Sequence, residues 1–138
     1  MDYTLMIGIA LSGKTTYRKS NFEHKVVQLS YFNNNRKLEL ETIEGYLKEG
    51  KSVVVDDTNL TRKIRKSHID LAKKYNATVI GIFMNTSRGL IDQRRMRRSD
   101  QLPMAVINKQ LRDLETPTKD EGFDKLIVHK DYESPRDT

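Results

Sequence analysis

Gly8-Ile9-Ala10-Leu11-Ser12-Gly13-Lys14-Thr15 is the stretch on which the reading of this chain turns. It satisfies every fixed position of the pattern G-x-x-x-x-G-K-[ST]. A short apolar run, Tyr3 to Ile9, leads into it, and Lys14 to Ser20 can begin a helix directly after it. The spacing has a physical cause. Successive backbone N–H groups must curl around an anion, and glycine supplies conformations and a closeness of approach that a Cβ forbids. The helix start adds its partial positive charge. Lys14 is then placed to reach the β- and γ-phosphates of a nucleotide, and the Thr15 hydroxyl to ligate Mg²⁺. The candidate nucleotide-binding residues are therefore Gly8, Leu11, Ser12, Gly13, Lys14, Thr15 and Thr16, with ATP or GTP as the ligand. An accidental glycine-rich turn is the bland alternative, and the setting between a strand and a helix speaks against it.

Outward from this loop the chain alternates short apolar runs with amphipathic stretches. Lys25 to Leu29 is a second short strand, and Arg36 to Glu49 a helix with Leu40, Ile43 and Leu47 on one stripe and Gly50 as its stop. Val53-Val54-Val55 is a β-branched run that ends in Asp56-Asp57. From Thr61, a candidate N-cap, Ile64, His68, Leu71, Ala72 and Tyr75 recur at helical spacing. Thr78 to Met84 is the fourth strand, Ser87 to Arg98 and Met104 to Leu114 are helices, and Lys125 to His129 is the fifth strand. Strands without alternation, each followed by a helix, call for a parallel sheet covered on both faces. The expected architecture is a single three-layer α/β domain with a five-stranded parallel sheet over residues 1–130. Residues 131–138 are polar and are expected to form a frayed tail.

Composition narrows the function classes. The chain has 138 residues and no cysteine, which removes disulfide frameworks and Cys-ligated zinc and suits a reducing, cytoplasmic setting. No apolar run approaches the roughly 20 residues that span a bilayer. A net charge of +6 favours polyanionic partners without specifying a fold.

Two further clusters bear on chemistry. A phosphate loop works with a carboxylate at the end of a neighbouring strand, and Asp56 and Asp57 stand where it belongs, as candidate metal-shell residues beside Thr15. A helix-capping turn is the alternative for either of them. Arg88, Arg94, Arg95, Arg97 and Arg98 crowd one short segment, and planar bidentate donors suit phosphate recognition better than a solvated face does. That segment is expected to close over a nucleotide as a lid. The basic run from Arg62 to Lys74 reads equally as a groove for a nucleic-acid backbone and as the exposed face of an amphipathic helix. His68, on the apolar stripe of that helix, reads as a packed core histidine.

With these motifs in place, the chain resembles the 5′-OH kinase domain of polynucleotide kinase–phosphatases and the P-loop kinases grouped with it. The resemblance extends from Met6 to about Val128. Beside the phosphate loop it rests on Leu47-Lys48-Glu49-Gly50-Lys51 leading into Val53-Val54-Val55-Asp56-Asp57-Thr58-Asn59, on the arginine-rich segment, and on Pro117-Thr118-Lys119-Asp120-Glu121-Gly122-Phe123. It implies a nucleotide-kinase-like P-loop NTPase fold, ATP and Mg²⁺ as cofactors, and a nucleic acid (5′-OH DNA or RNA) or a nucleotide as phosphate acceptor. Carried over by position, Lys14, Asp57, Arg94 and Arg98 are the catalytic candidates, with Arg97 in place of Arg98 if the register slips by one. Asn59 belongs with Asp57 to the site at the end of the third strand. One departure stands out. The family carries an Asp after the second strand that accepts the proton of the attacking hydroxyl. Here the stretch is Leu29-Ser30-Tyr31-Phe32-Asn33-Asn34-Asn35, with Tyr31 or Phe32 at that position. Either aromatic can stack on a base or serve as packing. Glu39 and Glu41 lie on the following helix, a turn or more past the site. A kinase of a nucleoside or other small molecule, and a nucleotide-binding module without catalysis, remain as alternative readings.

Overall fold

The computed structural model describes residues 1–98 and 102–133. Among the described residues the strands and helices follow in the order β1 (Asp2–Ile7), α1 (Lys14–Asn21), β2 (Lys25–Val27), α2 (Arg36–Lys48), β3 (Val53–Asp56), α3 (Arg62–Lys74), β4 (Thr78–Asn85), α4 (Arg88–Met96), α5 (Met104–Asp113) and β5 (Lys125–Lys130). All strand pairings are parallel, and the sheet order is β2-β3-β1-β4-β5. The chain moves to one side of β1, then crosses back and continues on the other. The expected three-layer α/β sheet is the one observed.

The layers follow from alternation along the strands. Tyr3, Leu5 and Ile7 of β1 and Val53 and Val55 of β3 point to one face, where Ile43 and Leu47 of α2 and Ile69 and Ala72 of α3 cover them. Met6, Val54, Ile82 and Met84 point to the other, where Tyr17 of α1 and Phe22 pack. A third cluster, Ile9, Leu60, Ile91 and Ile107, seats α4 and α5 beside the loop ends. Among the described residues, no helix is long and apolar enough to cross a membrane.

Local rules account for the boundaries. Thr61 caps α3 by accepting from the Ile64 N–H, Asn35 caps α2 through Leu38 N–H, and Gly50 ends α2 at φ 73°. Two differences from the sequence expectation matter for function. β2 ends at Val27, and Leu29–Phe32 form a 3-10 turn where the strand was expected to continue to Leu29. The expected frayed tail is anchored at its start: Asp131 donates its N–H to Asn85 O, and its carboxylate accepts from Ser87 N–H. The rest of that expected tail, residues 134–138, lies outside the described residues.

Candidate functional site

The carboxyl ends of β1, β3 and β4 meet at the phosphate loop. Gly8 N–H donates to Thr58 O at 3.0 Å, so the loop hangs on the segment that leaves β3. Gly8 has to be glycine: at φ 152° an added Cβ would lie 2.6 Å from Ser12 Oγ and 3.0 Å from Met84 O. Leu11 (φ 66°) and Gly13 (φ 97°) supply the left-handed turns that bend the loop back on itself. Lys14 Nζ donates to Gly8 O at 2.8 Å and Ile9 O at 2.7 Å, folding its ammonium across the mouth of the loop. Burial pulls this lysine down to about 8, with Asp56 and Asp57 opposing the shift. A cavity of about 350 Å³ opens here, bounded by residues Leu11 to Thr16, Arg94, Arg98 and Tyr132. The predicted loop residues from Leu11 to Thr16 all line it.

The acidic pair does not act as a pair. Asp56 turns toward the phosphate loop, and its Oδ2 accepts from Thr15 Oγ1 at 2.9 Å, Arg18 Nε at 3.2 Å and Gln28 Nε2 at 3.4 Å. This side chain is almost fully buried, and the three donors gather on a single oxygen. Adjacent strand residues face opposite ways, so Asp57 turns the other way. Its Oδ1 accepts the Leu29 N–H at 2.7 Å, and its Oδ2 lies 3.5 Å from Arg36 NH1. Of the expected trio Thr15, Asp56 and Asp57, the structure brings Thr15 and Asp56 together by a hydrogen bond, whereas Asp57 holds the 3-10 turn.

Glu39 lies on α2, as expected, with its carboxylate turned inward beside Asp57 and His68. It is 0% exposed and takes Arg36 NH1 at 2.9 Å on Oε1, and its carboxylate, that of Asp57 and a ring nitrogen of His68 lie within 4.8 Å of one another. Burial, and next the Asp57 carboxylate, raise its pKa well above the usual carboxylate range. His68 is the packed core histidine expected: its Nδ1 lies 2.6 Å from the Tyr3 hydroxyl, and burial lowers its pKa to about 3, so it is neutral. The signal for Glu39 was available in the four-residue spacing Glu39-Ile43-Leu47, which places it on the buried stripe of α2.

The arginine-rich segment separates into roles. Arg94 donates from NH1 to Leu11 O at 2.8 Å and from NH2 to Tyr132 O. Arg94 and Arg98 line the cavity, whereas Arg97 caps α4 on its exposed side and Arg88 pairs with Asp92 at 3.1 Å. The register therefore selects Arg98 over Arg97 as the cavity residue. Tyr132, assigned by sequence to a tail, lies against Gly13 and packs edge-on to Tyr17, ring centroids 5.3 Å apart. No sequence signal marks it, since one tyrosine in a polar stretch has no periodicity to read.

Other motif residues hold the scaffold. Asn59, expected in the site, is buried at φ 47° and donates from Nδ2 to Met6 O at 2.8 Å, tying the β3 exit to β1. Arg65 is 0% exposed and forks onto Glu121 at 2.8 and 3.1 Å, while its NH1 donates to Asn59 O and Leu60 O. Glu121 in turn forms a capping box with Thr118. The Pro117–Phe123 segment is thus a brace for α3. Of the basic run on that helix, Lys66 pairs with Asp70, Lys74 with Glu44, and Arg62 reaches Thr118. That self-pairing favours the exposed amphipathic face over a nucleic-acid groove.

A family model described as AAA domain matches residues 17–117, well over half of the chain. The chain belongs to the AAA domain family. That match starts just past the phosphate loop, which the geometry above supplies independently. The AAA domain here is 29% identical over 145 aligned residues to a bifunctional polynucleotide phosphatase/kinase of Schizosaccharomyces pombe, covering 96% of this chain and 35% of that protein. It therefore spans about a third of the length of that relative. Among solved structures, a sugar kinase from Janibacter sp. HTCC2649 matches with TM-score 0.73 at 18% identity, covering 99% of this chain and 89% of that one. A gluconokinase from Sinorhizobium meliloti 1021 matches with TM-score 0.71 at 17% identity, covering 99% and 86%. The AAA domain of this chain has the P-loop fold of these kinases.

Proposed function

We propose that the chain is an ATP-dependent phosphotransferase of the polynucleotide-kinase type, moving the γ-phosphate of ATP to a 5′-hydroxyl of a nucleic acid or nucleotide. The observation that carries this reading is the division of the acidic pair, with Asp56 bound to Thr15 on the nucleotide side and Asp57 bound to the 3-10 turn on the opposite side. A donor site and an acceptor site then flank the end of β3. The likeness to the S. pombe phosphatase/kinase along nearly the whole chain supports the same acceptor class. A cytoplasmic setting, where ATP and nucleic acid are at hand, belongs to this proposal.

The residues present fit ATP and Mg²⁺. The loop has the left-handed turns that aim N–H groups inward, and a hydroxyl and a buried carboxylate stand 2.9 Å apart at its end. Thr15 and Asp56 would hold the metal, which supplies charge neutralisation at the phosphates. Lys14 moves its ammonium from the loop carbonyls to the phosphates. Arg94 and Arg98 cover the transferring group and exclude water. The acceptor oxygen forms a bond to the γ-phosphorus as the bond to the β-phosphate oxygen breaks, releasing ADP, and the hydroxyl proton passes to water. The 3-10 turn supplies no carboxylate for the hydroxyl proton, so transfer is slow relative to what general-base assistance, typically ~10²–10⁴-fold, would give.

A second reading, a kinase of a small polyol or sugar acid, is favoured by the sugar kinase and gluconokinase likeness. The deciding experiment offers γ-labelled ATP and Mg²⁺ with 5′-OH oligonucleotides, nucleosides, nucleotides and gluconate in parallel. Label in the oligonucleotide supports the first reading, and label in gluconate alone replaces it with the second. ATP binding without transfer to any acceptor moves the assignment to a nucleotide-binding module.

A further inference from the structure

We infer that Tyr31 is the acceptor-binding platform of this site: its ring stacks on the nucleobase next to the reacting hydroxyl, so the acceptor is one with an unpaired, unstacked base at its end. The inference rests on the reading of the chain as a kinase of nucleic acid or nucleotide, and it assigns to a specific side chain the selectivity for that class.

Tyr31 is 60% exposed, and it is the one aromatic among the large apolar side chains exposed in the described residues. An exposed aromatic alone is ordinary. What sets this one apart is how firmly the backbone beneath it is fixed and where. Leu29 N–H is bound to Asp57 Oδ1 at 2.7 Å, Tyr31 N–H to Gln28 O at 3.0 Å, Asn34 N–H to Leu29 O at 3.2 Å and Asn35 N–H to Phe32 O at 3.0 Å. Asn33 (φ 52°) and Asn34 (φ 63°) take consecutive left-handed conformations, which asparagine tolerates better than most residues and which reverse the chain into α2. Phe32 packs against the core and fixes the turn from below, touching the Tyr31 ring edge-on with centroids 6.5 Å apart.

This turn is tied to the phosphate side through the residue before it. Gln28, the N-cap residue of the turn, reaches Asp56 Oδ2, the oxygen that also holds Thr15. At about 2 Å of rise per residue, Tyr31 stands only ~4 Å along the 3-10 axis from Leu29, which Asp57 holds. The Tyr31 hydroxyl makes no hydrogen bond within the described residues, and its ring meets Phe32 edge-on. A large π-face is thus presented to solvent on a preorganised support, tied to a site that handles phosphate. Base stacking is the interaction such a face offers, and it tolerates any base. A sugar acid offers no flat ring for it to cover.

The chain has no tryptophan, so a Tyr31→Trp variant carries a single reporter at this spot. A 5′-OH octathymidylate should quench it, whereas gluconate should not. With the wild type, Tyr31→Ala and Tyr31→Phe, affinity for the octathymidylate is measured beside affinity for the same oligomer lacking its 5′-terminal base. Tyr31→Ala should lose about 5- to 150-fold, the equivalent of ~1–3 kcal/mol for one stacked base, and Tyr31→Phe should stay close to wild type. The abasic oligomer should bind all three proteins with the weak affinity of Tyr31→Ala. Equal affinity of wild type and Tyr31→Ala, or of intact and abasic oligomer for wild type, overturns the inference. If Tyr31→Ala still phosphorylates the oligonucleotide at the wild-type KM, the kinase reading stands and the stacking role alone falls. If the wild type binds no oligonucleotide but phosphorylates gluconate, both fall together. Unchanged ATP affinity and thermal midpoint across the variants tie any loss to the acceptor.

Discussion

At the scale of single residues, the structure separates side chains that sequence could only place together. Lys14 donates to two loop carbonyls, so nucleotide binding would exchange neutral acceptors for charged ones. A charge-assisted contact is worth about 1.5–3 kcal/mol, and Lys14→Ala should weaken ATP–Mg²⁺ binding by roughly 10- to 150-fold in a titration with a fluorescent nucleotide. Full affinity in a folded Lys14→Ala protein would remove this lysine from the phosphate site. Tyr31, or Phe32 if the register shifts by one, stands at the position of a catalytic carboxylate, and their burial distinguishes them. Tyr31→Asp puts the carboxylate on the exposed side of the turn. It should raise kcat for a 5′-OH oligonucleotide, within the ~10²–10⁴-fold span of general-base assistance, while raising KM through the lost ring. Phe32→Asp instead drives a charge into the core contact beneath the turn, and a lowered thermal midpoint with no gain in rate is its expected signature. A kcat that falls with Tyr31→Asp would mean that the proton leaves by another route.

At the scale of elements, α4 and the strap after β5 work as one unit. Ile91 is fully buried and pins the first turns of α4, whereas Arg97 N–H and Arg98 N–H close the helix with bonds of 3.3 and 3.2 Å. In hydrogen exchange the amides of residues 94–98 should be weakly protected without ligand and gain protection with ATP–Mg²⁺, as Arg94 leaves the Leu11 and Tyr132 carbonyls for phosphate. High and unchanging protection there would make α4 a fixed support. The brace on α3 behaves differently. Arg65→Leu would strand Glu121, whose side chain is 6% exposed, and breaking a buried pair this way costs about 3–5 kcal/mol, measurable by urea unfolding. A loss under 1 kcal/mol would show that water replaces the guanidinium. These elements also mark what sequence could reveal. The central strands β1, β3 and β4 were legible because parallel strands buried on both faces are unbroken apolar runs, and the phosphate loop because its glycines have a steric cause. The 3-10 turn was not, since Leu29 reads as the end of the strand until Asp57 claims its N–H from 28 residues away. Tyr132 was hidden for a similar reason: its partners, Arg94 and Tyr17, are distant in the chain.

At the scale of the whole molecule, the polar chain Tyr3–His68–Glu39–Arg36–Asp57 runs from the core to the 3-10 turn and links stability to pH. His68 is held neutral, its pKa lowered from the ordinary 6.5 to about 3, so only the unfolded chain takes up its proton in that interval. Its contribution is present above 6.5 and is lost as pH falls toward 3. Glu39 has the opposite sign. Its folded pKa is raised above the ordinary 4.5, so the folded chain keeps a proton that the unfolded chain releases. Its contribution is complete below 4.5 and is lost as pH rises through the raised value. Between 4.5 and 6.5 the two slopes oppose each other, and above 6.5 Glu39 acts without that opposition. Ionised there, it would face the Asp57 carboxylate with Arg36 as the shared cation. Glu39→Gln keeps the shape and removes the titration. The difference in unfolding free energy between Glu39→Gln and wild type should therefore grow in favour of the variant from pH 5 to pH 9, read from urea midpoints at constant ionic strength. A difference that stays constant across that range would mean that Glu39 is ionised throughout and that Arg36 alone neutralises the pair.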